Sequence, residues 1–422
     1  MKTTIPTVKG ARDFYPEQKA LHSWMGELLR SVSHSFGYQE YDGPFLEKID
    51  LYAAKSSEEL VKEQSFVFPD RGGELIALRP ELTPSLARMV AQRQGELVFP
   101  MRWWSFGPFW RYERPQKGRS REFYQWNIDL IGVDTPEADA ELVAVAATFF
   151  KKIGLGPDLV KLYVNNRKLM NSQLEKLGIP VDLHPGVFHL IDRRDKMQPD
   201  DWDAYSLEIG LKPEELEGLK RVLANPELWK EHPDFERFFN VIDAMGLRDY
   251  VVYDPGVIRG LDYYTGMVFE AFEKDGGRAI LGGGHYDNLV AAVGGDHLPG
   301  VGFAMGDAMI MVVLEKYGCL PQMPVLDDAV LVTVFEESLI PASYAFTSVL
   351  HEAGVRAVCY PDAAKLQKQL KFADRMRVRY AVIMGPDEAA AGQVTVKNLA
   401  ERTQETMSQA DAAVYLREQL NR

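Results

Sequence analysis

Residues 100–132 place the tightest constraint on this chain. Two aromatic-rich runs, WWSFGPFWRYE and REFYQWNIDLIG, flank the polar segment RPQKGRS. Aromatic and β-branched residues on either side of a loop holding proline and glycine predict two strands joined as a hairpin. With 422 residues the chain exceeds one ordinary core, so two or three domains are expected.

Periodicity organises the rest. Residues 17–36 carry Leu21, Trp24, Leu28, Leu29, Val32 and Phe36 near helical spacing, and Gly37 fits a helix stop. ELIALR (74–79) has the pattern of a strand, and Thr83-Pro84 opens a helix through SLARMVAQRQ. Residues 135–153 are apolar at helical spacing with acids at their start, and KLYVNNR follows as a strand. From about 168 to 245, charged segments such as SQLEKLG and KPEELEGLKRVLA predict a helical insertion. DYVVYD, MVFEAF and RAILGGG return to strand, and a helix is expected at 305–317. LPQMPVLDD, with two prolines, has linker character. Beyond it AVLVTVF, VRAVCY, YAVIMG and QVTVKNL alternate with helical stretches, as in a compact α/β domain. The expected boundaries are 1–167, 168–245, 246–320 and 326–422.

Composition bounds the class. Hydrophobic residues at 46% and charged residues at 26% have the balance of a soluble globular protein. No apolar run approaches the roughly 20 residues that span a bilayer, so no membrane partner is expected. The N-terminal segment lacks an apolar signal core. The two cysteines, Cys319 and Cys359, lie far apart and suggest neither a disulfide framework nor a metal site, which favours a reducing cytoplasm. A net charge of −13 argues against indiscriminate nucleic-acid binding but allows a local basic surface.

Four stretches carry chemistry. Arg111, Arg114, Lys117, Arg119 and Arg121 put five cations into eleven positions. They form either a solvated hairpin tip or an anion site whose loop closes over phosphate. Gln125 and Asp129, four apart on the second strand, would share a face, and a buried acid there needs a partner. Glu81 and Thr83 precede a helix: Thr83 ahead of Pro84 suits a cap, while an acid plus a hydroxyl could equally hold an ammonium group. The glycines of LGGGHYDNL suit a tight turn and are weak grounds for phosphate binding. RGLDYYTG crowds Arg259, Asp262, Tyr263 and Tyr264 together. No Walker, Rossmann or HExxH pattern occurs. Near the C-terminus, six cations (Lys365, Lys368, Lys371, Arg375, Arg377, Arg379) face two acids (Asp362, Asp374). Lys368, Lys371 and Arg375 are spaced to share a helix face, either solvated or suited to an RNA backbone.

Together these stretches resemble the histidyl-tRNA synthetase family over nearly the whole chain. GYQEYDGPFLEK, with Pro44, resembles motif 1, the dimer-interface element. WRYERPQKGRSREFYQ resembles motif 2. RGLDYYTGMVFE and LGGGHYD resemble the two signatures peculiar to the histidine enzyme, and KLQKQLKFADRMRVRYAVIMGPDE its anticodon-binding domain. The HIGH and KMSKS motifs of class I synthetases are missing. The resemblance implies an α+β fold: a class II antiparallel sheet core with a helical insertion, plus a C-terminal α/β anticodon-binding domain. It implies a cytoplasmic homodimeric ligase that uses ATP with Mg2+ to activate L-histidine and charge tRNA(His).

By the same resemblance, Arg111 holds the α-phosphate, and Arg259 the carboxylate and α-phosphate, as the catalytic pair. Glu81, Thr83 and Gln125 hold the α-ammonium. Asp129 and Tyr264 bind the two imidazole nitrogens, with Tyr263 and Tyr286 lining the pocket. Arg119 lies near the ATP phosphates. Arg114, Pro115 and Gln116 lie near the tRNA acceptor end, and Lys368, Lys371 and Arg375 belong to the anticodon domain. No dedicated metal cage is expected. Three positions depart from the family pattern. Asp129 stands where many members have Glu, His285 where the second signature usually has Arg, and Met309 where motif 3 usually has the Arg that clamps ATP. Met309 cannot bind a phosphate, though it can pack against adenine. These changes leave one alternative, a regulatory synthetase paralogue that keeps the fold without the activity. The intact RGLDYYTG and the presence of a C-terminal domain oppose it.

Overall fold

The structure, a computed structural model, describes residues 4–53, 63–116, 118–259, 264–323, 326 and 328–420. It divides into two compact units, residues 1–13 with 24–320 and residues 14–23 with 321–422.

In the larger unit the strands are β1 (Gln39–Glu40), β2 (Leu46–Lys48), β3 (Phe66–Pro69), β4 (Leu75–Leu78), β5 (Met101–Trp110), β6 (Glu122–Ile131), β7 (Val160–Asn166), β8 (Val251–Tyr253), β9 (Met267–Glu273), β10 (Leu281–Tyr286) and β11 (Gly300–Gly306). Eight of these form one sheet, in the order β1-β5-β6-β11-β10-β9-β7-β8. Its interior pairs, from β5 across to β7, are all antiparallel, and only the edge strands β1 and β8 pair in parallel. The aromatic hairpin expected at 100–132 is β5-β6, with Met101 opposite Ile131 and Trp110 opposite Glu122. One face of the sheet packs under the helix Pro136–Lys152, whose Leu142, Val143, Phe149 and Phe150 are fully buried. Trp126 of β6 meets Phe303 of β11 edge to face at 4.9 Å and Phe149 at 5.5 Å. That apolar layer makes the opposite face of the sheet a rigid platform.

The helical insertion is present. Five α-helices (Arg167–Lys176, His184–Asp192, Pro199–Glu208, Pro213–Leu223 and Pro233–Ala244) lie between β7 and β8, and Val187, Leu219, Phe235 and Phe238 of these helices are fully buried in the same core. Proline opens four of the five within the first two positions, where its missing N–H is no loss. A second sheet of order β2-β4-β3 had no clear sequence signature, because two of its strands are short and largely exposed.

The smaller unit holds β12 (Val330–Val332), β13 (Ala357–Cys359), β14 (Tyr380–Ile383), β15 (Gln393–Asn398) and β16 (Thr403–Ser408), in the order β13-β12-β14-β15-β16. The first three strands pair in parallel and the last two join antiparallel. Strand β16, TQETMS, is polar and mostly exposed, so alternation could not announce it.

Two local expectations change. Thr83 is not a cap: the helix Thr83–Arg93 begins on it, Leu82 occupies the cap position, and no side-chain cap bond forms. The glycine run of LGGGHYD is not a turn. Gly282, Gly283 and Gly284 are strand residues of β10, paired with both β9 and β11.

Candidate active site

The inner end of the site rests on β6, β10 and β11. Gln125 and Asp129 share a face of β6, with Gly306 and Gly302 opposite them on β11. Asp129 is buried, and the Tyr286 hydroxyl donates to its Oδ1 at 2.7 Å. Gly302 is what admits the carboxylate, since a Cβ there would lie 2.1 Å from Asp129 Oδ1. Burial pushes the Asp129 carboxyl up from 3.8 to about 7, and the hydrogen bond from Tyr286 offsets only part of that rise.

The glycines of β10 serve the same purpose. A Cβ on Gly284 would lie 2.7 Å from the Tyr264 ring, and one on Gly282 would fall 1.2 Å from an Arg259 guanidinium nitrogen. Residues 282, 284 and 286 lie on one face of the strand, so clearance for Arg259, clearance for Tyr264 and the Tyr286 phenol all line one wall. Gly283 points the other way, against Phe269 and Phe303. Arg259 Nη1 donates to Glu270 Oε1 at 3.1 Å, and its guanidinium lies 5.6 Å from the Tyr264 ring centroid.

Arg259 has φ 51°, in the left-handed region that non-glycine residues seldom occupy. A buried arginine that sequence reasoning passed over holds this backbone. Arg167 donates to the carbonyls of Ile258 (3.3 Å), Arg259 (2.8 Å) and Tyr264 (2.9 Å), and stacks at 5.1 Å on Phe188 of the insertion. Its position at the end of KLYVNNR gives no sequence signal for that role. Asp262 and Tyr263 lie outside the described residues, as does Lys117.

The outer part is a cleft with about 150 Å³ of free space, lined among others by Arg111, Arg119, Gln125, Arg278 and Met309. Arg111 follows directly on β5. Its Nε donates to the Pro80 carbonyl at 2.9 Å and its guanidinium lies 5.5 Å from the Phe123 ring. The bond to Pro80 ties the segment before helix Thr83–Arg93, which carries Glu81, to Arg111. Thr83 lies one turn before Ala87, which packs with Tyr264 and Tyr286, so Thr83 sits on the helix face turned to the pocket. The Gln125 Oε1 is buried with no hydrogen-bond partner among the described residues.

At the hairpin tip, Gln116 and Arg119 exchange backbone bonds of 3.0 and 2.8 Å around Gly118, which has φ 74°. Arg119 pairs with Glu113. Arg114 and Gln116 are exposed. Arg121 is spent internally, with its guanidinium 3.9 Å from the Tyr112 ring. In the smaller unit, Lys368, Lys371 and Arg375 are all exposed on the helix Leu366–Arg375, whose buried positions are Gln369 and Ala373.

Residues 10–308 match the family model described as histidyl-tRNA synthetase, and residues 328–419 match that of an anticodon binding domain. The chain belongs to the histidyl-tRNA synthetase family. It is 36% identical to the chloroplastic/mitochondrial histidine–tRNA ligase of Arabidopsis thaliana over 96% of this chain and 85% of that one. It is also 33% identical to the histidine–tRNA ligase of Leptospira biflexa, over 100% and 99% respectively. In fold it is similar to the crystal structure of histidyl-tRNA synthetase from Nostoc sp. PCC 7120, with TM-score 0.84 and 24% identity over 99% of this chain and all of that one.

Within this family's pattern the departures at His285 and Met309 acquire places. His285 is buried on β10. Its Nδ1 meets Asp139 Oδ1 at 2.9 Å, and its Nε2 lies 3.2 Å from Asp287 and 3.4 Å from Asp134. Burial alone would lower the imidazole pKa, but these carboxylates, Asp139 above all, raise it. An imidazolium can therefore stand in the family's arginine position as the centre of an ion-pair cluster. Met309 lines the cleft beside the hairpin tip, where a Cβ on Gly118 would lie 3.1 Å from its sulfur.

Proposed function

We propose that the protein activates L-histidine with ATP and transfers it to the 3′ end of tRNA(His). A histidine carboxylate oxygen attacks the α-phosphorus, histidyl-adenylate forms and pyrophosphate leaves. The terminal ribose hydroxyl of the tRNA then attacks the acyl carbon and AMP departs. The observation that carries this reading is the buried Asp129–Tyr286 pair at the inner end of an arginine-lined cleft. Neutral imidazole offers one donor and one acceptor, and an acid beside adaptable phenols matches both.

In this reading Asp129 accepts from one ring nitrogen and Tyr264 serves the other, with Tyr286 completing the wall. Gln125, with its unpaired Oε1, joins Glu81 and Thr83 around the α-ammonium. Arg259 faces the histidine carboxylate and α-phosphate, and Arg111 faces the α-phosphate from the other side. Two anions must meet for the bond to form, and fixed cations lower that barrier without reorganising. Arg119 serves the outer phosphates, Arg114 and Gln116 the acceptor end, and Lys368, Lys371 and Arg375 the tRNA backbone.

Among the described lining residues of the cleft, Glu113 is the only carboxylate, and Arg119 engages it. That donor set does not fit a resident metal, so Mg2+ is assigned to the incoming ATP complex. Phe45, Leu46, Val67, Phe68 and Leu75, on or beside the small sheet, are large apolar side chains exposed by 39 to 53%, which supports a homodimer through the motif 1 region. Among the described residues no helix is long and apolar enough to cross a membrane, and a cytoplasmic setting is part of the same proposal. The domain limits 1–167, 168–245, 246–320 and 326–422 are likewise proposed as functional units.

Histidine-dependent ATP–pyrophosphate exchange tests the reading. Exchange that requires L-histidine is expected. Its absence at millimolar ATP, with and without tRNA(His), would sink it.

A further inference from the structure

The cleft contains a cation that no motif anticipates. Arg278 lies in the short connection between β9 and β10, and it lines the cleft together with Arg111, Arg119 and Met309. Its position is fixed from the strand that follows: Ile280 donates its backbone N–H to the Ala271 carbonyl at 2.7 Å, and Leu281 pairs with Ala271 in the sheet. The Arg278 Nη1 is buried, with no hydrogen-bond partner among the described residues. Its nearest charged neighbours are Arg119, which repels it, and Glu113, which is already paired with Arg119. Burial and the Arg119 charge both act against the charged form, lowering its pKa, yet a guanidinium stays protonated.

Three arginines in the lining thus face one glutamate. A half-buried guanidinium with an open donor beside a second arginine is costly unless an anion completes it. The same cleft holds Met309, a neutral side chain where the family's motif 3 carries its ATP-clamping arginine. A position without a charge and a cation without a partner among the described residues therefore meet within a single lining. Glu113 carries one negative charge and cannot neutralise both arginines, and two adjacent cations with one shared acid suit a chain of phosphates better than a single charge.

We propose that Arg278 binds the β- and γ-phosphates of ATP and supplies the positive charge that Met309 does not. This rests on the reading of the cleft as the ATP site. Arg278 enters from the β9–β10 connection, whereas Met309 sits on the helix Asp307–Lys316, so this charge comes from a different wall of the cleft than the Met309 position.

The test uses the full-length protein with ATP and histidine varied separately in pyrophosphate exchange. Arg278→Ala should raise the KM for ATP about tenfold or more, with the KM for histidine within about twofold and inhibition by adenosine unchanged. Arg278→Lys, which keeps the charge and loses the fork, should fall between. Adding Met309→Arg to Arg278→Ala should recover much of the lost ATP affinity. An ATP KM within twofold of the parent would overturn the proposal, and so would an equal loss toward adenosine, which would mean a role at the adenine or in folding. Thermal unfolding of each variant identifies a misfolded one, and Arg278→Lys then carries the test. If the parent shows no exchange, the proposed activity fails on its own. Calorimetric titration with Mg–ATP then judges Arg278 directly: tight binding lost in the variants supports it, and equal binding overturns it.

Discussion

The two ends of the site are built on opposite terms. At the proposed imidazole end, Asp129 and Tyr286 already hold each other at 2.7 Å, and glycines at 300 and 302 clear the space they occupy. At the proposed phosphate end, Arg111, Arg119 and Arg278 share an open cleft with a single carboxylate among its described lining residues. The first is specified by shape and hydrogen bonds before any ligand arrives. The second is specified by a surplus of charge that a ligand must balance. A small neutral ring needs exact walls, because one missed hydrogen bond leaves a buried polar group unpaired. A flexible polyanion needs field more than fit.

Arg259 stands between the two ends, and its replacement should have the largest effect. Arg259→Ala is expected to slow adenylate formation about a hundred- to a thousandfold in single-turnover measurements, with only a few-fold change in histidine binding. Equal losses in both would place Arg259 in ground-state binding and erase the boundary between the ends.

Asp129→Asn comes next. Loss of a charged hydrogen-bond acceptor should raise the KM for histidine about 10- to 100-fold and leave the KM for ATP unchanged. The same substitution removes a buried carboxyl, so the melting temperature at pH 8 should rise. A fall in melting temperature would mean that Asp129 supports the fold rather than straining it.

The pH dependence follows from the same carboxyl, which titrates near 7 in the native protein and near 3.8 in the unfolded chain. Between these values the native state holds a proton that the unfolded chain has released, so stability declines as pH rises through that window. Histidine binding runs the other way. It needs the ionised acid, so affinity should climb about tenfold per pH unit below 7 and level off above it. Asp129→Asn should flatten the enzyme's share of both profiles. Two unaltered profiles in that variant would assign the titration elsewhere.

The smallest effect is expected at Arg167, which touches neither ligand in the proposed scheme. Arg167→Ala strands three backbone carbonyls, those of Ile258, Arg259 and Tyr264. It should raise the histidine KM several-fold and lower stability by about 1–3 kcal/mol per buried group left unpaired, before relaxation. The ATP KM should hold, and a matching rise there would show that both ends depend on that one staple.

Much of this was legible in the residues. The aromatic runs announced β5 and β6, and helix-favouring segments announced the helices between β7 and β8. The five cations of the hairpin left two readings open, a solvated tip or an anion site. Other parts were not legible. The run Gly282–Gly284 suggested a turn because glycine is the usual turn residue, yet its reason is lateral: side chains from Arg259 and Tyr264 cross where a Cβ would stand. Thr83 suggested a cap, but the helix starts one residue earlier than that role requires. Arg121 belonged to the same cation cluster as Arg119 and proved to be packed on Tyr112.

The sequence by itself determined most of the elements, because periodicity and local residue choice are properties of neighbours along the chain, and its motifs, through the family they resemble, determined the class of sheet and the kind of chemistry. Which cations face the cleft, which glycines clear a path and which arginine holds the backbone at Arg259 and Tyr264 were decided only by tertiary structure. Those contacts join residues tens to nearly two hundred positions apart, such as Arg167 with Tyr264 and Asp129 with Tyr286, and no local pattern can encode a partner that folding alone brings near.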